Sequence, residues 1–360
     1  MTKKNETRLG RVRLVSIVMP AYNAEAHLGE ALASVLAQTH GNMEVLLMDN
    51  ASTDGTAEIA RKVNDPRLRT IRNTETVPFE LNIERGLKET RGDYVAVYHA
   101  DDVYEPDIVE RQVDYLERIR EAVAVFTAAN EIDEHNKPIR LRPTPPEFLG
   151  PDAETQSYDF QQIFKAILRH YNFLVTPTAM VRGDLYRNLP EAWPQEEAYG
   201  NSSDLNVWLG LLMTGPVGIL PEPLIHYRIH QGQLTSQRLA LQVGEDDIFG
   251  LLQRYAALPE VAAWMEPRDW RRLDLLKHRD RCSRAIKLIV LERAEEARKL
   301  LGPAERKVLA AALSEIPVDG TRTFFKWWLL GLGLYWTARV PVGERKRVGR
   351  LLDRFWNGAE

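Results

Sequence analysis

Apolar residues in the first third of the chain come in short runs separated by stretches of helical spacing. Val15 to Met19 (VSIVM), Glu44 to Met48 (EVLLM), Leu68 to Ile71, Tyr94 to Tyr98 (YVAVY) and Val123 to Thr127 are runs of strand length. An unbroken apolar run of that length reads as a strand buried on both faces. Between them, Leu28, Leu32, Val35 and Leu36 recur at helical spacing, and Thr56 to Val63 places Ile59, Ala60 and Val63 on one side. The segment around Asn82 to Thr90 reads as a third helix. Pro106 opens a fourth, with Ile108, Gln112, Tyr115 and Ile119 on one face and Val109, Val113 and Leu116 on another. This alternation predicts an α/β fold with a doubly wound, mostly parallel sheet.

The pattern then changes. Lys137 to Pro151 is rich in Pro and Arg and reads as a loop; residues 159 to 170 read as a helix and Thr176 to Arg182 as a strand. Leu205, Trp208, Leu209 and Leu212 recur at helical spacing, and Val217 to Leu220 and Leu224 to Ile229 read as two short strands. From about Leu239 to Ser314 the pattern is helical and charged. Four of the eight tryptophans, Trp327, Trp328, Trp336 and Trp356, cluster near the end, beside Arg339, Arg345, Lys346, Arg347, Arg350 and Arg354. Phe324 to Trp336 is strongly apolar but too short to span a bilayer, and Trp beside basic residues suits a membrane interface. The alternative is that this segment packs on protein.

Composition narrows the classes. With 360 residues, 44% hydrophobic and 27% charged, the chain is long enough for two or three domains and is neither disordered nor collagen-like. A net charge of −4 gives no chain-wide basic field, so no nucleic-acid partner is expected. The single cysteine, Cys282, excludes an intrachain disulfide framework and a CxxC zinc cluster. The start, MTKKNETRLGRVR, has no apolar core behind its charges and is not read as a secretory signal. A cytoplasmic setting is expected.

In doubly wound sheets ligands bind beyond the carboxyl ends of the strands. Three polar clusters fall there: Pro20-Ala21-Tyr22-Asn23, Asp49-Asn50-Ala51-Ser52 and His99-Ala100-Asp101-Asp102. The Asp101-Asp102 pair could hold a divalent cation whose remaining ligands come from a diphosphate, or could cap the helix near Pro106. Asp49 could accept from a ribose or base, having no evident capping duty, while Asp54 reads as a helix cap. Tyr22 could stack on a base, with Ala21 backbone groups reading its edge; the plainer alternative is a strand-to-helix turn. Asp204, in NSSDLNVWL, is either an N-cap or a general base. In His226-Tyr227-Arg228-Ile229-His230, Arg228 or His230 could contact diphosphate, and His230 could complete a metal shell.

Taken in order, the segments VSIVMPAYNAEAHLGEALASVLAQT, EVLLMDNASTDGT, NIERGLKETRGDYVAVYHADDVYEPD, SDLNVWLGLLMTGPVGILPEPL and YRIH resemble the family 2 glycosyltransferases of GT-A fold, from Val15 to about Ser236. The resemblance implies a Rossmann-like nucleotide-sugar-binding half at 14–135 and an acceptor half at 136–238. They would be preceded by a basic tail at 1–13 and followed by a helical extension at 239–320 and a Trp/Arg-rich segment at 321–360. It implies transfer with inversion from a nucleotide-sugar, a UDP-sugar being favoured, with Mn2+ or Mg2+. The implied donor site is Pro20, Ala21, Tyr22, Asp49, Ala100, Asp101 and Arg228; the implied metal ligands are Asp101 and His230; the implied base is Asp204. Many members carry Asp where this chain has His99, and some carry a second acid where it has Ser203. The expected role is building a bacterial surface polysaccharide on a glycan or lipid-linked acceptor, at the cytoplasmic membrane face. Residues 240 to 320 could pack on the catalytic domain or mediate a homo-oligomer. The competing reading is a catalytically silent nucleotide-sugar-binding scaffold.

Overall fold

The structure, a computed structural model, describes residues 12–142, 144–150, 152–189, 193, 200–230, 232–233, 247–290 and 293–300. The chain divides into two compact units, residues 1–238 and 239–360. The first is built on a nine-stranded sheet. Its strands are β1 (Val15–Ala21), β2 (Met43–Asp49), β3 (Leu68–Arg72), β4 (Tyr94–Val97), β5 (Val103–Tyr104), β6 (Ala124–Ile132), β7 (Pro138–Arg142), β8 (Met180–Arg182) and β9 (Val217–Arg228). The main order is β3-β2-β1-β4-β8-β6-β9-β5, with β7 paired to β6 outside that path.

The first four strands run parallel, β1 lying between β2 and β4. Every residue of β1 and β4 is buried, which explains their unbroken apolar sequence. Helices cover this half: α1 (Leu28–Leu36), α2 (Thr56–Lys62), α3 (Phe79–Lys88) and α4 (Ile108–Arg118). Leu28, Ala31, Leu32 and Val35 form the buried stripe of α1, spaced as the sequence predicts. Together with Val15, Ile17, Met19, Val45, Leu47 and Ile108 they belong to one core.

The second half of the sheet is mixed. β8 pairs antiparallel with both β4 and β6, while β9 runs parallel to β6. The sheet is thus parallel on the β1 side and mixed beyond β4. Helices α5 (Phe160–His170), α6 (Gly183–Asn188) and α7 (Ser203–Leu212) belong to this half. Asp159 starts α5 through a reciprocal capping box with Gln162.

Three details differ from the sequence reading. The loop predicted over Lys137 to Pro151 contains β7, an exposed edge strand whose Pro and Arg content hid it. The two short strands predicted over 217–229 are one strand, β9, whose register against β6 shifts around Pro223. Thr176–Thr178 is a 3-10 turn, and only Met180–Arg182 is strand.

The second unit is helical where described: α8 (Asp247–Ala256), α9 (Pro259–Ala262), α10 (Pro267–Val290) and α11 (Ala294–Leu300). Ile248, Phe249, Leu251, Leu252 and Ala256 make α8's buried face. Among the described residues no helix is long and apolar enough to cross a membrane. Residues 1–11 of the basic tail and all of 301–360, including the Trp/Arg-rich segment, lie outside the described residues.

Candidate functional site

Parallel pairing of β1 and β2 brings Ala21 opposite Asp49, so two of the predicted clusters meet at one sheet edge. The turns beyond them are tied together. Ala21 O accepts from the Asn50 N–H at 2.8 Å, and Ser52 Oγ accepts from the Asn23 N–H at 3.0 Å. Asn23 and Ala51 both adopt positive φ, 48° and 57°. For Ala51 this backbone is costly, and such strain collects where geometry serves a site. Tyr22 is 53% exposed, so its ring is free to meet a ligand, while Pro20 is buried in β1.

Asp49 has more local duty than its sequence suggests. One oxygen, Oδ1, accepts from the Ser52 N–H at 2.9 Å. The other, Oδ2, is buried without a hydrogen bond and lies 3.4 Å from the Arg72 guanidinium. Arg72 is itself held by the Ser52 carbonyl at 2.7 Å. One carboxylate oxygen therefore shapes the turn and the other faces the Arg72 guanidinium.

The third cluster follows β4. The two-residue strand β5, unseen in the sequence, pairs Val103 with His226 and Tyr104 with Ile225. This pairing sets the end of β9 against the 99–102 loop, although more than a hundred residues separate them. The Arg228 N–H donates to Asp102 Oδ1 at 2.8 Å, and His230 Nε2 lies 3.0 Å from Asp101 Oδ2. The His27 ring is 5.0 Å from that of His230. Ala100 is buried.

His99, Asp101 and Asp102 each offer a ligand atom, and these atoms lie within 4.8 Å of one another. His99 Nε2 and Asp102 Oδ2 are buried and have no hydrogen-bond partner. Buried polar atoms are rarely left so, and a cation held between them would satisfy both. Nδ1 of His99 is 3.6 Å from Asp102 Oδ2. The charges are graded. Burial pushes the Asp101 carboxyl up, but the His230 hydrogen bond and the nearby His99 and His230 imidazoles hold it below the usual range. Burial and the neighbouring Asp101 push Asp102 well above it, against the Arg228 N–H. Burial lowers His99, which favours the neutral imidazole, the form that can ligate. These residues fit a divalent cation. The family resemblance implies Asp101 and His230 as ligands; the compact donor set is His99, Asp101 and Asp102, with His230 hydrogen-bonded to Asp101.

Arg228 is where the structure corrects the sequence most clearly. The sequence offers Arg228 or His230 to a diphosphate, but the Arg228 side chain is 1% exposed and faces inward. Nε donates to the Asp101 carbonyl at 2.7 Å, Nη1 to Asn136 Oδ1 at 2.6 Å and the Asp133 carbonyl at 3.2 Å, and Nη2 to Glu30 at 2.8 Å. The Gln233 amide also donates to its carbonyl. Arg228 is a buried tie that positions the Asp101 loop.

Asp204 lies half-buried in the first turn of α7. Its Oδ2 accepts from the Thr176 hydroxyl at 2.9 Å and its Oδ1 from the Leu205 N–H at 2.7 Å. Burial raises its carboxyl above the ordinary value, against those two hydrogen bonds and the charge of Arg142. A carboxylate raised toward neutrality is a better base than a free one. No hydrogen bond joins Asp204 to the 99–102 loop among the described residues. Tyr227 links them electrostatically: burial raises its phenol, and Asp102, Asp101 and Asp204 all add to that rise while Arg142 opposes it. The Arg142 guanidinium lies over the Tyr227 ring, 5.7 Å from its centre. Arg142 carries no signal in sequence because it belongs to no motif, and Tyr227 stands in the YRIH segment without a role that the sequence assigns.

The family model for Glycosyl transferase family 2 matches residues 16–188, a span that includes β1 to β8, the Asp49 turn and the 99–102 loop. Residues 16–188 form a family 2 glycosyltransferase domain. An uncharacterized glycosyltransferase of Haemophilus influenzae is 28% identical over 225 residues, covering 62% of this chain and 68% of the relative. Across eight curated relatives the share of their own length that this chain spans runs from 31% to 72%. Two solved structures share the glycosyltransferase's fold. Staphylococcus aureus TarS 1–349 in complex with UDP-GlcNAc superposes with a TM-score of 0.52 at 14% identity, over 96% of this chain and 90% of that one. The Pyrobaculum calidifontis mannosyltransferase PcManGT in complex with GDP-Man and Mn2+ gives 0.51 at 16% identity, over 98% and 89%.

Proposed function

We propose that this glycosyltransferase moves a sugar, with inversion, from a nucleotide-diphosphate donor to a glycan or lipid-linked acceptor, with Asp204 as base. The reading rests above all on one observation: His99 Nε2 and Asp102 Oδ2, buried and without a hydrogen bond, stand beside Asp101 at the carboxyl end of β4. That is the edge on which a doubly wound sheet takes its ligand. The two solved neighbours carry a UDP-sugar and a GDP-sugar, which supports the donor class. A UDP-sugar is the favoured donor, Mn2+ or Mg2+ the favoured cation, and synthesis of a bacterial surface polysaccharide at the cytoplasmic membrane face the favoured setting.

Each residue then has a duty. Asp49 Oδ2 and the Ala21 backbone hold the nucleoside, and Tyr22 closes over the base. His99, Asp101 and Asp102 would hold the cation, which when bound supplies positive charge against the leaving diphosphate. An imidazole in this set favours Mn2+ over Mg2+. Asp204 takes the proton of the acceptor hydroxyl as its oxygen bonds to the anomeric carbon. The bond from that carbon to the diphosphate oxygen breaks on the opposite face, and the raised affinity of Asp204 for protons suits this step.

The test is a thermal-shift panel of nucleotide-sugars with and without Mn2+, followed by donor turnover with candidate acceptors. A ligand that binds the native state raises the melting temperature by mass action. A Mn2+-dependent shift with one donor class, and release of its nucleoside diphosphate on turnover, is the expected result. A shift without turnover under any acceptor would turn the reading into a silent scaffold. No shift from a folded sample would remove the donor assignment.

A further inference from the structure

The opposite edge of the sheet holds a polar cleft of about 340 Å³ that the proposed reaction does not use. It lies where the chain enters β1 and β4, so it faces away from the strand ends that carry Ala21 and His99. Its walls include Arg13, Arg91, Arg182 and Arg187, with Asp93 and Asp184. The volume falls within the range of small-ligand clefts, about 300–1,000 Å³.

The charges do not cancel. Arg13 is matched by Glu117 at 2.9 Å and Asp93 at 3.6 Å. Arg182 is held by neutral groups, the carbonyls of Ala122, Leu116, Ile119 and Arg120, and stands over the Tyr94 ring. Arg187 donates to the Gly92 carbonyl at 3.0 Å and to the Thr90 hydroxyl. Carbonyls and hydroxyls orient a guanidinium without neutralising it. The Arg91 guanidinium is exposed and makes no hydrogen bond or ion pair among the described residues. Four arginines thus stand against three carboxylates, Asp93, Glu117 and Asp184, an excess of one positive charge; the Glu44 carboxylate is engaged by the Ser16 hydroxyl and the Arg91 N–H.

The placement of Arg187 is built into the backbone. A Cβ on Gly183 would lie 2.8 Å from Arg187 Nη1 and would also strike the Gly92 carbonyl. The guanidinium thus occupies space that only glycine leaves open. Guanidinium forks held in place and left positive suit the oxygens of a phosphate.

We propose that this cleft binds a phosphate group, through Arg91 and Arg187, at a site separate from the donor crevice. The group could be a soluble phosphate ester or the headgroup of an anionic lipid, and the test distinguishes the two. Inorganic phosphate is titrated by calorimetry, and vesicles of phosphatidylglycerol or of phosphatidylcholine are tested by flotation, using the full chain. The wild type binds phosphate, or binds the anionic vesicles in preference to the neutral ones. Arg91→Gln weakens that binding roughly tenfold, with an unchanged melting temperature because the side chain holds nothing in place. Asp184→Asn strengthens it severalfold, a gain that misfolding does not produce. Phosphate binding that weakens with Arg91→Gln, with vesicle binding that does not, identifies the soluble ester; vesicle binding that weakens with Arg91→Gln identifies the headgroup. Binding of neither probe, or binding that ignores Arg91→Gln, Arg187→Gln and Asp184→Asn alike, overturns the proposal.

Discussion

Asp204 combines two properties that pull against each other. Its burial raises its carboxyl above the ordinary carboxylate value, so the folded protein holds that proton more tightly than the unfolded chain. Its contribution to stability therefore falls as pH rises from the ordinary carboxylate value through the raised one, and the cost stays at neutral pH. Asp204→Asn keeps an acceptor for the Thr176 hydroxyl and removes the charge. The variant is expected to melt higher than the wild type near neutral pH and alike in strong acid, while turnover falls roughly a hundredfold or more. Calorimetry across pH and a donor-turnover assay check both halves; lost donor binding instead of lost turnover would make Asp204 structural. Arg228 allows a second test. Glu30 is 45% exposed, so Glu30→Gln loosens the Arg228 fork without opening the core. Mn2+ binding, read by electron paramagnetic resonance, is expected to weaken about threefold to tenfold with little change in melting temperature. Unchanged Mn2+ affinity would leave Arg228 a stability residue only. The positions of Asp49, Asp101 and Asp204 were legible, because an acid at the end of an apolar run or the start of a helical pattern is something that sequence reveals. Arg228 was not: its partners come from residues 30, 101, 133 and 136, and only the fold shows that they saturate it.

Elements were legible where burial is uniform and obscure where it is not. β1, β2 and β4 are largely apolar because both faces are covered, and the runs VSIVM, EVLLM and YVAVY announce them. β7 shows Pro138, Ile139, Arg140 and Leu141 to solvent, so its composition resembles a loop. β5 has two residues and no pattern, yet it delivers β9 to the 99–102 loop. Packing between elements gives a paired prediction. A Cβ on Gly86 of α3 would lie 2.5 Å from Val18 Cγ1 and 2.9 Å from Met48 Cγ, whereas on Gly29 of α1 its nearest neighbour is Ile59 at 3.9 Å. Gly86→Ala should destabilise by about 1–3 kcal/mol through overpacking, less the modest helix-propensity gain. Gly29→Ala, with room and an exposed helical site, should stabilise by about 0.5–1 kcal/mol. Denaturant unfolding of the two variants checks the sign of each; a stabilising Gly86→Ala would show that α3 can lift from β1 and β2.

At the scale of the whole molecule the net charge of −4 conceals local positive features. One is the arginine cleft at the amino ends of β1 and β4. Another is the Trp/Arg-rich segment from 321 onward, whose sequence alone supports an interfacial role. Each basic residue near an anionic surface contributes about 1 kcal/mol, and the attraction weakens over a Debye length as salt rises. A chain ending at Arg322 is therefore expected to lose most of its binding to phosphatidylglycerol vesicles. It should keep turnover on a water-soluble acceptor analogue, since the candidate site lies within residues 14–238. Adding Arg91→Gln to the truncated chain separates the two features. If both touch the bilayer, the combined loss in binding free energy should equal the sum of the single losses, as for independent sites. If truncation alone leaves vesicle binding unchanged, the tryptophans belong to a protein interface, and turnover that falls with truncation would place that interface against the catalytic domain.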